Sequence, residues 1–165
     1  MEQSAFRRVV ALAAWGGAWG ALLSTLPLLR DGARETGHPA APVNAISHWL
    51  WPRSGLRADP PSWRYSGTGM VIHFASSLFW GVGYALLREY RASRGRQGDG
   101  QARAAEVALD ASLVAAAAAT VDLRVVPHRL SPGFQERLSN ASLCRVYAGF
   151  ALGLAVASWF VERRR

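Results

Sequence analysis

Lysine is missing from this chain. All 19 basic side chains are arginine, set against 11 acidic ones, for a formal net charge of +8. With the high alanine and glycine content, we read this as a compositional habit rather than a functional signal. Cysteine occurs once, as Cys144. That excludes an internal disulfide and a cysteine-based metal centre, and leaves Cys144 as a small packing residue at the head of an apolar block. There is no basic stripe interleaved with aromatics. The arginines collect between apolar blocks, as insertion into a membrane would arrange them, so no nucleic-acid partner is expected. No H-E-x-x-H spacing is present.

Half of the residues are hydrophobic, yet the mean hydropathy is only +0.05. The average hides a segregation. Apolar residues come in four blocks, at about 7–29, 69–87, 104–126 and 143–161. Roughly 20 apolar residues in helix cross the ~30 Å hydrocarbon core of a bilayer. The expected fold is therefore all-α: one domain over 1–165, a four-helix transmembrane bundle organised around the 69–87 block, with the lipid bilayer as its surroundings. A signal peptide is the competing reading of the first block. Its core is too long, it carries Trp15 and Trp19, and no small-x-small cleavage site follows Leu29, so it reads as a retained helix.

Within the bundle, Gly16 and Gly20 form a G-x-x-x-G ledge, and Gly149, Gly153 and Ala157 form a similar ridge. Such ledges let helices approach closely, which makes these glycines candidate contacts for a homo-oligomer. Two short helices are expected on the outer face, lying in the membrane interface. One covers 45–51 with Asn44 as N-cap, where Trp49 and Trp51 suit the headgroup layer. The other covers 131–138 with Ser131 as N-cap and Pro132 at the first position.

Arginine density sets the orientation. Arg7, Arg8, Arg88, Arg91, Arg94, Arg96, Arg103, Arg163, Arg164 and Arg165 crowd short segments on the side of both termini. Arg30, Arg34, Arg53, Arg57, Arg64, Arg124, Arg129 and Arg137 are spread over much longer segments on the other side. The positive-inside rule then predicts N-in and C-in.

Each helix also carries polar groups at one depth, roughly 4 to 8 Å below the outer boundary. These are Ser24 and Thr25, His73, Asp122 and Arg145, with Asn44 and His48 of the first short helix capping them from above. A lone charge at that depth costs up to about 2 to 3 kcal/mol, so Asp122 and Arg145 are expected to pair. Asp110 lies deeper toward the inner leaflet, within reach of Tyr84 or Arg8. Three functions fit the layer. It could be a structural network or small-ligand site in a non-enzymatic protein. It could belong to an oligomeric transporter or channel subunit. It could be a metal-dependent membrane enzyme, with His48, His73 and Asp122 as the only ligand candidates. No cofactor is specified by the sequence.

The run Asn44-Ala45-Ile46-Ser47-His48-Trp49-Leu50-Trp51, the His73–Trp80 segment, and Asp122 through Pro127 to Phe134 resemble a group of small bacterial four-helix inner-membrane proteins without assigned activity. The helix layout is also loosely similar to that of the YagU-like inner-membrane proteins. The resemblance implies a bacterial inner-membrane location and supplies no substrate and no catalytic residue.

Overall fold

The structure, a computed structural model, describes residues 2–95 and 100–162. Arg96 and Arg163 to Arg165, which weigh in the orientation argument, lie outside the described residues. Among those described there are six α-helices and no strand. Four segments are long and apolar enough to cross a membrane: Gln3–Thr36, Trp63–Ser93, Gly100–Val125 and Asn140–Val161. They correspond to the four apolar blocks. Large apolar side chains such as Val71, Phe79, Leu86 and Leu152 stand more than half exposed along them. Water would penalise such a surface, whereas a bilayer solvates it.

The helices are longer than the apolar blocks. Helix α1 runs Glu2–Thr36, about 52 Å at 1.5 Å per residue, well beyond the hydrocarbon thickness. It continues through Pro27 and past Leu29 for two further turns. Gly37, in the left-handed conformation at φ +76°, ends it. Helices α2 (Ala41–Ile46) and α3 (Ser54–Arg57) are short. Helix α4 (Thr68–Ser93) is entered through a π-helical turn, Trp63–Gly67. Helix α5 (Gly100–Thr120) leaves through another, Val121–Val125. Helix α6 covers Asn140–Glu162.

The expected centre of the bundle was the 69–87 block; the actual centre is α1. It packs along both α4 and α6, α5 closes mainly on α6, and α4 and α6 scarcely meet. Glycine makes both seams of α1 possible. A Cβ on Gly81 would lie 2.7 Å from Ala13 O, and one on Gly17 would lie 2.6 Å from Leu78 Cα. On the other seam, Gly149 faces Leu23 O, Gly153 faces the Trp19–Gly20 backbone, Gly20 faces the Phe150 ring and Gly16 faces Leu154. The four glycines read as contacts for a second copy are therefore used within one chain. Their closeness follows from small residues meeting on adjacent helices, and the α1–α6 seam covers them.

The short helices also differ from expectation. All six residues of α2 are buried, so it packs against protein and does not lie in the membrane interface. Asn44 sits inside α2 and caps nothing; the cap position is Ala40, without a side-chain bond. The 131–138 segment makes only a 3-10 turn at Phe134–Glu136. Gly133, at φ +82°, breaks any helix there, and Ser131 Oγ donates to His128 O instead of capping an N–H.

Two alanine substitutions test the seams. Gly153→Ala forces a Cβ onto the Trp19–Gly20 backbone and should lower stability in detergent by about 1–3 kcal/mol. Gly83→Ala, with open space around it, should be neutral or stabilising by roughly 0.5–1 kcal/mol. Thermal unfolding of both variants checks the pair; equal behaviour would rule out the α1–α6 seam.

Candidate functional site

The end of the bundle away from the chain termini is roofed. Helix α2, the 3-10 turn Ser47–Trp49 and the 127–138 loop lie over the helix ends. Asn44 organises one side of this roof. Its amide nitrogen donates to Ala58 O at 2.9 Å and Pro60 O at 3.0 Å, and its oxygen accepts from Ser66 Oγ at 2.6 Å. It thereby pins the irregular chain that leads into α4. His48, fully buried, ties the other side. Its Nδ1 lies 2.9 Å from Ala45 O and its Nε2 lies 3.1 Å from His128 O. Trp49 Nε1 donates to Ser131 O at 2.8 Å. Arg137 donates to Leu56 O and pairs with Asp59. Gly133 lets the loop come this close, because a Cβ there would lie 2.7 Å from His48 Nδ1.

Under the roof is a cavity of about 60 Å³. Every membrane-crossing segment contributes to its wall: Ser24 from α1; His73, Ser76, Ser77 and Trp80 from α4; Asp122 from the turn after α5; Tyr147 from α6. Ile46, Trp49, Pro132 and Phe134 line it on the roof side. Ser24 Oγ donates to Gly20 O at 2.7 Å, leaving its lone pair for His73 Nε2 at 3.0 Å. The same nitrogen lies 3.3 Å from Ala21 O, which can only accept, so Nε2 carries the proton. Asp122 accepts from Tyr147 OH at 3.1 Å, and Trp80 lines the cavity beside it. It sits within the π-helical turn, where the widened backbone re-aims side chains.

The expected polar layer therefore divides. His73 and Asp122 meet in the cavity with Ser24. Asn44 and His48 belong to the roof and line no part of the cavity. Arg145 is elsewhere. Its Nε donates to Asp31 at 2.7 Å and its Nη2 to Ser142 Oγ at 2.8 Å. The expected Asp122–Arg145 pair is not formed. At 100° per residue, Arg145 and Tyr147 project about 200° apart on α6, so Tyr147 faces Asp122 while Arg145 faces α1. Residue counting along the helices does not settle direction around them, and that direction decides the partner of Arg145. The metal reading meets a similar obstacle. Among the described residues no three His, Cys, Asp or Glu side chains converge, and both nitrogens of His48 already face backbone carbonyls.

Sequence reasoning missed Asp31, Glu35 and Tyr147. Asp31 and Glu35 stand on the extension of α1 beyond Leu29, which the hydropathy boundary cut off. Glu35 binds Ser139 N at 2.6 Å and Ser139 Oγ at 2.8 Å, and also Ser142 Oγ, bracing the start of α6. At the inner end, Asp110 is held by Arg88 Nη1 at 2.9 Å, and Arg91 Nε lies 2.9 Å away as a charge contact outside hydrogen-bond alignment. The partners expected for Asp110 are engaged elsewhere: Arg8 with Glu89 at 2.6 Å, Tyr84 with Ser158 at 2.7 Å. Arg88 and Arg91 escaped because α4 runs six residues past the apolar block.

The chain matches no family model, no curated protein and no solved structure.

A double-mutant cycle separates the two pairings of Arg145. Arg145 is 46% exposed, so its coupling to Asp31 should be modest, about 0.5–1 kcal/mol, with Asp31→Asn and Arg145→Gln together losing less than their sum. Asp122→Asn and Arg145→Gln should add to within roughly 0.5 kcal/mol. Chemical denaturation in mixed micelles reads both cycles, and additivity in the first with coupling in the second would reverse the assignment.

Proposed function

We propose that this is a multi-pass protein of the bacterial inner membrane, with both termini cytoplasmic, that holds a small ligand in a roofed cavity of the outer leaflet. One observation carries the reading. Polar side chains from all four membrane-crossing segments converge on a single cavity, whose roof is fixed by backbone-directed bonds from His48 and Trp49. A network that served only helix register would be expected to close on itself without leaving space. The cavity is small: drug-sized ligands occupy roughly 300–1,000 Å³, against about 60 Å³ here. Its occupant is therefore a molecule of a few heavy atoms. A pore has less support, since Leu12, Tyr84, Leu154 and Ala157, all at most 5% exposed, fill the bundle core of α1, α4 and α6.

The test is ligand-induced stabilisation of the purified protein. A ligand that binds only the folded state raises the melting temperature saturably. Small cationic, anionic and neutral solutes should be titrated against wild type and Ser76→Leu, which fills the cavity from a half-buried position. At least one class should stabilise wild type and leave the variant unmoved. Absence of a saturable shift with every class would sink the binding reading.

A further inference from the structure

We infer that the ligand of this cavity carries a primary ammonium group, the free ion or methylammonium being the sizes that fit; this rests on the cavity being a binding site at all. Asp122 is the one acidic side chain in the wall, and no arginine lines it. Its hydrogen-bond contact, Tyr147 OH, is a neutral donor, and so is the neighbouring Trp80. A carboxylate offers about four lone-pair positions, so this contact leaves acceptor capacity for further N–H groups. The nearest basic candidate on α6, Arg145, is turned to Asp31 and Ser142. His73 directs its Nε2 proton to Ser24 and Ala21 and so gives Asp122 no bond from that nitrogen. An ionised Asp122 therefore leaves the cavity with an unmatched negative charge in surroundings of low dielectric, and an ion of opposite sign is the complement that removes the cost.

The rest of the wall selects the kind of cation. Five of its side chains are aromatic: Trp49, Trp80, Phe134, Tyr147 and Phe150. Aromatic faces attract cations through the ring quadrupole and do so without the oxygen ligands that hard metal ions require. Aromatic walls with one carboxylate suit an ammonium ion, which donates N–H bonds to the carboxylate and rests against the rings. They do not suit an anion. The volume of about 60 Å³ holds only a few heavy atoms, and a quaternary ammonium, which has no N–H, has no bond to give Asp122. The same primary ammonium also occurs on phosphatidylethanolamine headgroups, so the source must be separated by experiment.

Thermal unfolding in dodecyl maltoside micelles gives the first comparison. Ammonium and methylammonium chloride should raise the melting temperature saturably above sodium chloride at equal ionic strength; tetramethylammonium chloride and sodium acetate should not. Asp122→Asn should weaken the effect by about tenfold or more, as loss of a buried charge partner does. A second comparison uses bilayer discs of phosphatidylethanolamine or phosphatidylglycerol. Stabilisation by methylammonium in micelles assigns the free ion, and stabilisation only by phosphatidylethanolamine assigns the headgroup. An equal response to sodium, tetramethylammonium or acetate overturns the ammonium assignment, and so does an unchanged response in a folded Asp122→Asn. These wild-type comparisons hold even if that variant does not fold. A neutral or anionic solute that stabilises wild type and not Ser76→Leu would keep the site and reject the ammonium. Silence from every solute would reject both.

Discussion

The close approach of α1 to two neighbours sets the rest of the molecule. In lipid there is no hydrophobic drive to bring helices together, because the tails are as apolar as the side chains. Backbone contact across small residues takes over that role. Gly17 and Gly81 draw α4 onto α1; Gly149 and Gly153 draw α6 onto its other side. With α1 between them, α4 and α6 are held apart, and α5 must close the remaining side. Its alanine-rich face, with Ala111, Ala115 and Ala118 buried, lets it do so without bulk. The cavity is a consequence of this layout. It forms between α4 and α6, which scarcely meet, where their polar side chains, with Ser24 and Asp122, line the gap.

Polar groups then fall at three levels, each with a different logic. The inner level is an ion cluster in which buried Asp110 meets Arg88 and Arg91, so the carboxylate is compensated by more than its own charge. At the far level Asp31 pairs with Arg145 and Asp59 with Arg137, while the exposed Glu35 is bonded by serines at the start of α6. Between them lies the half-buried Asp122, bonded by the neutral Tyr147. The two fully buried described carboxylates, Asp31 and Asp110, both meet arginines, and Asp122, in the cavity wall, does not. That unevenness coincides with the cavity.

Much of the fold was legible in the sequence because lipid imposes a length and a composition that soluble folds do not. The four long apolar helices follow from that. The helix ends were not legible, and the failures share a cause. Hydropathy marks where the bilayer ends, while the backbone hydrogen-bond ladder continues past it if side chains hold the extra turns. Asp31, Glu35, Arg88 and Arg91 all stand on such turns. The pairing of Asp122 failed for another reason: residue counting along a helix gives depth, and choosing between Arg145 and Tyr147 needs the rotation of α6, which Gly149 and Gly153 fix by facing α1. That signal was present in the sequence, but the glycines were assigned to a second copy of the chain.

The roof decides how the cavity can discriminate. Open to the outer compartment, Asp122 would be bathed in water, and any small cation would meet it with its hydration shell intact. With Ile46, Trp49, Pro132 and Phe134 lining the cavity above it, Asp122 is half-buried, and a ligand that reaches it gives up part of that shell. Dehydration is far costlier for a compact hard cation than for an ion whose N–H groups can be taken up by a carboxylate and whose charge can rest on aromatic rings. The bonds from His48 to His128 O and from Trp49 to Ser131 O hold the 127–131 stretch in place on backbone atoms, independent of what side chains the loop carries. Selectivity thus belongs jointly to the wall, which supplies the charge and the rings, and to the roof, which reduces the water that would mask both.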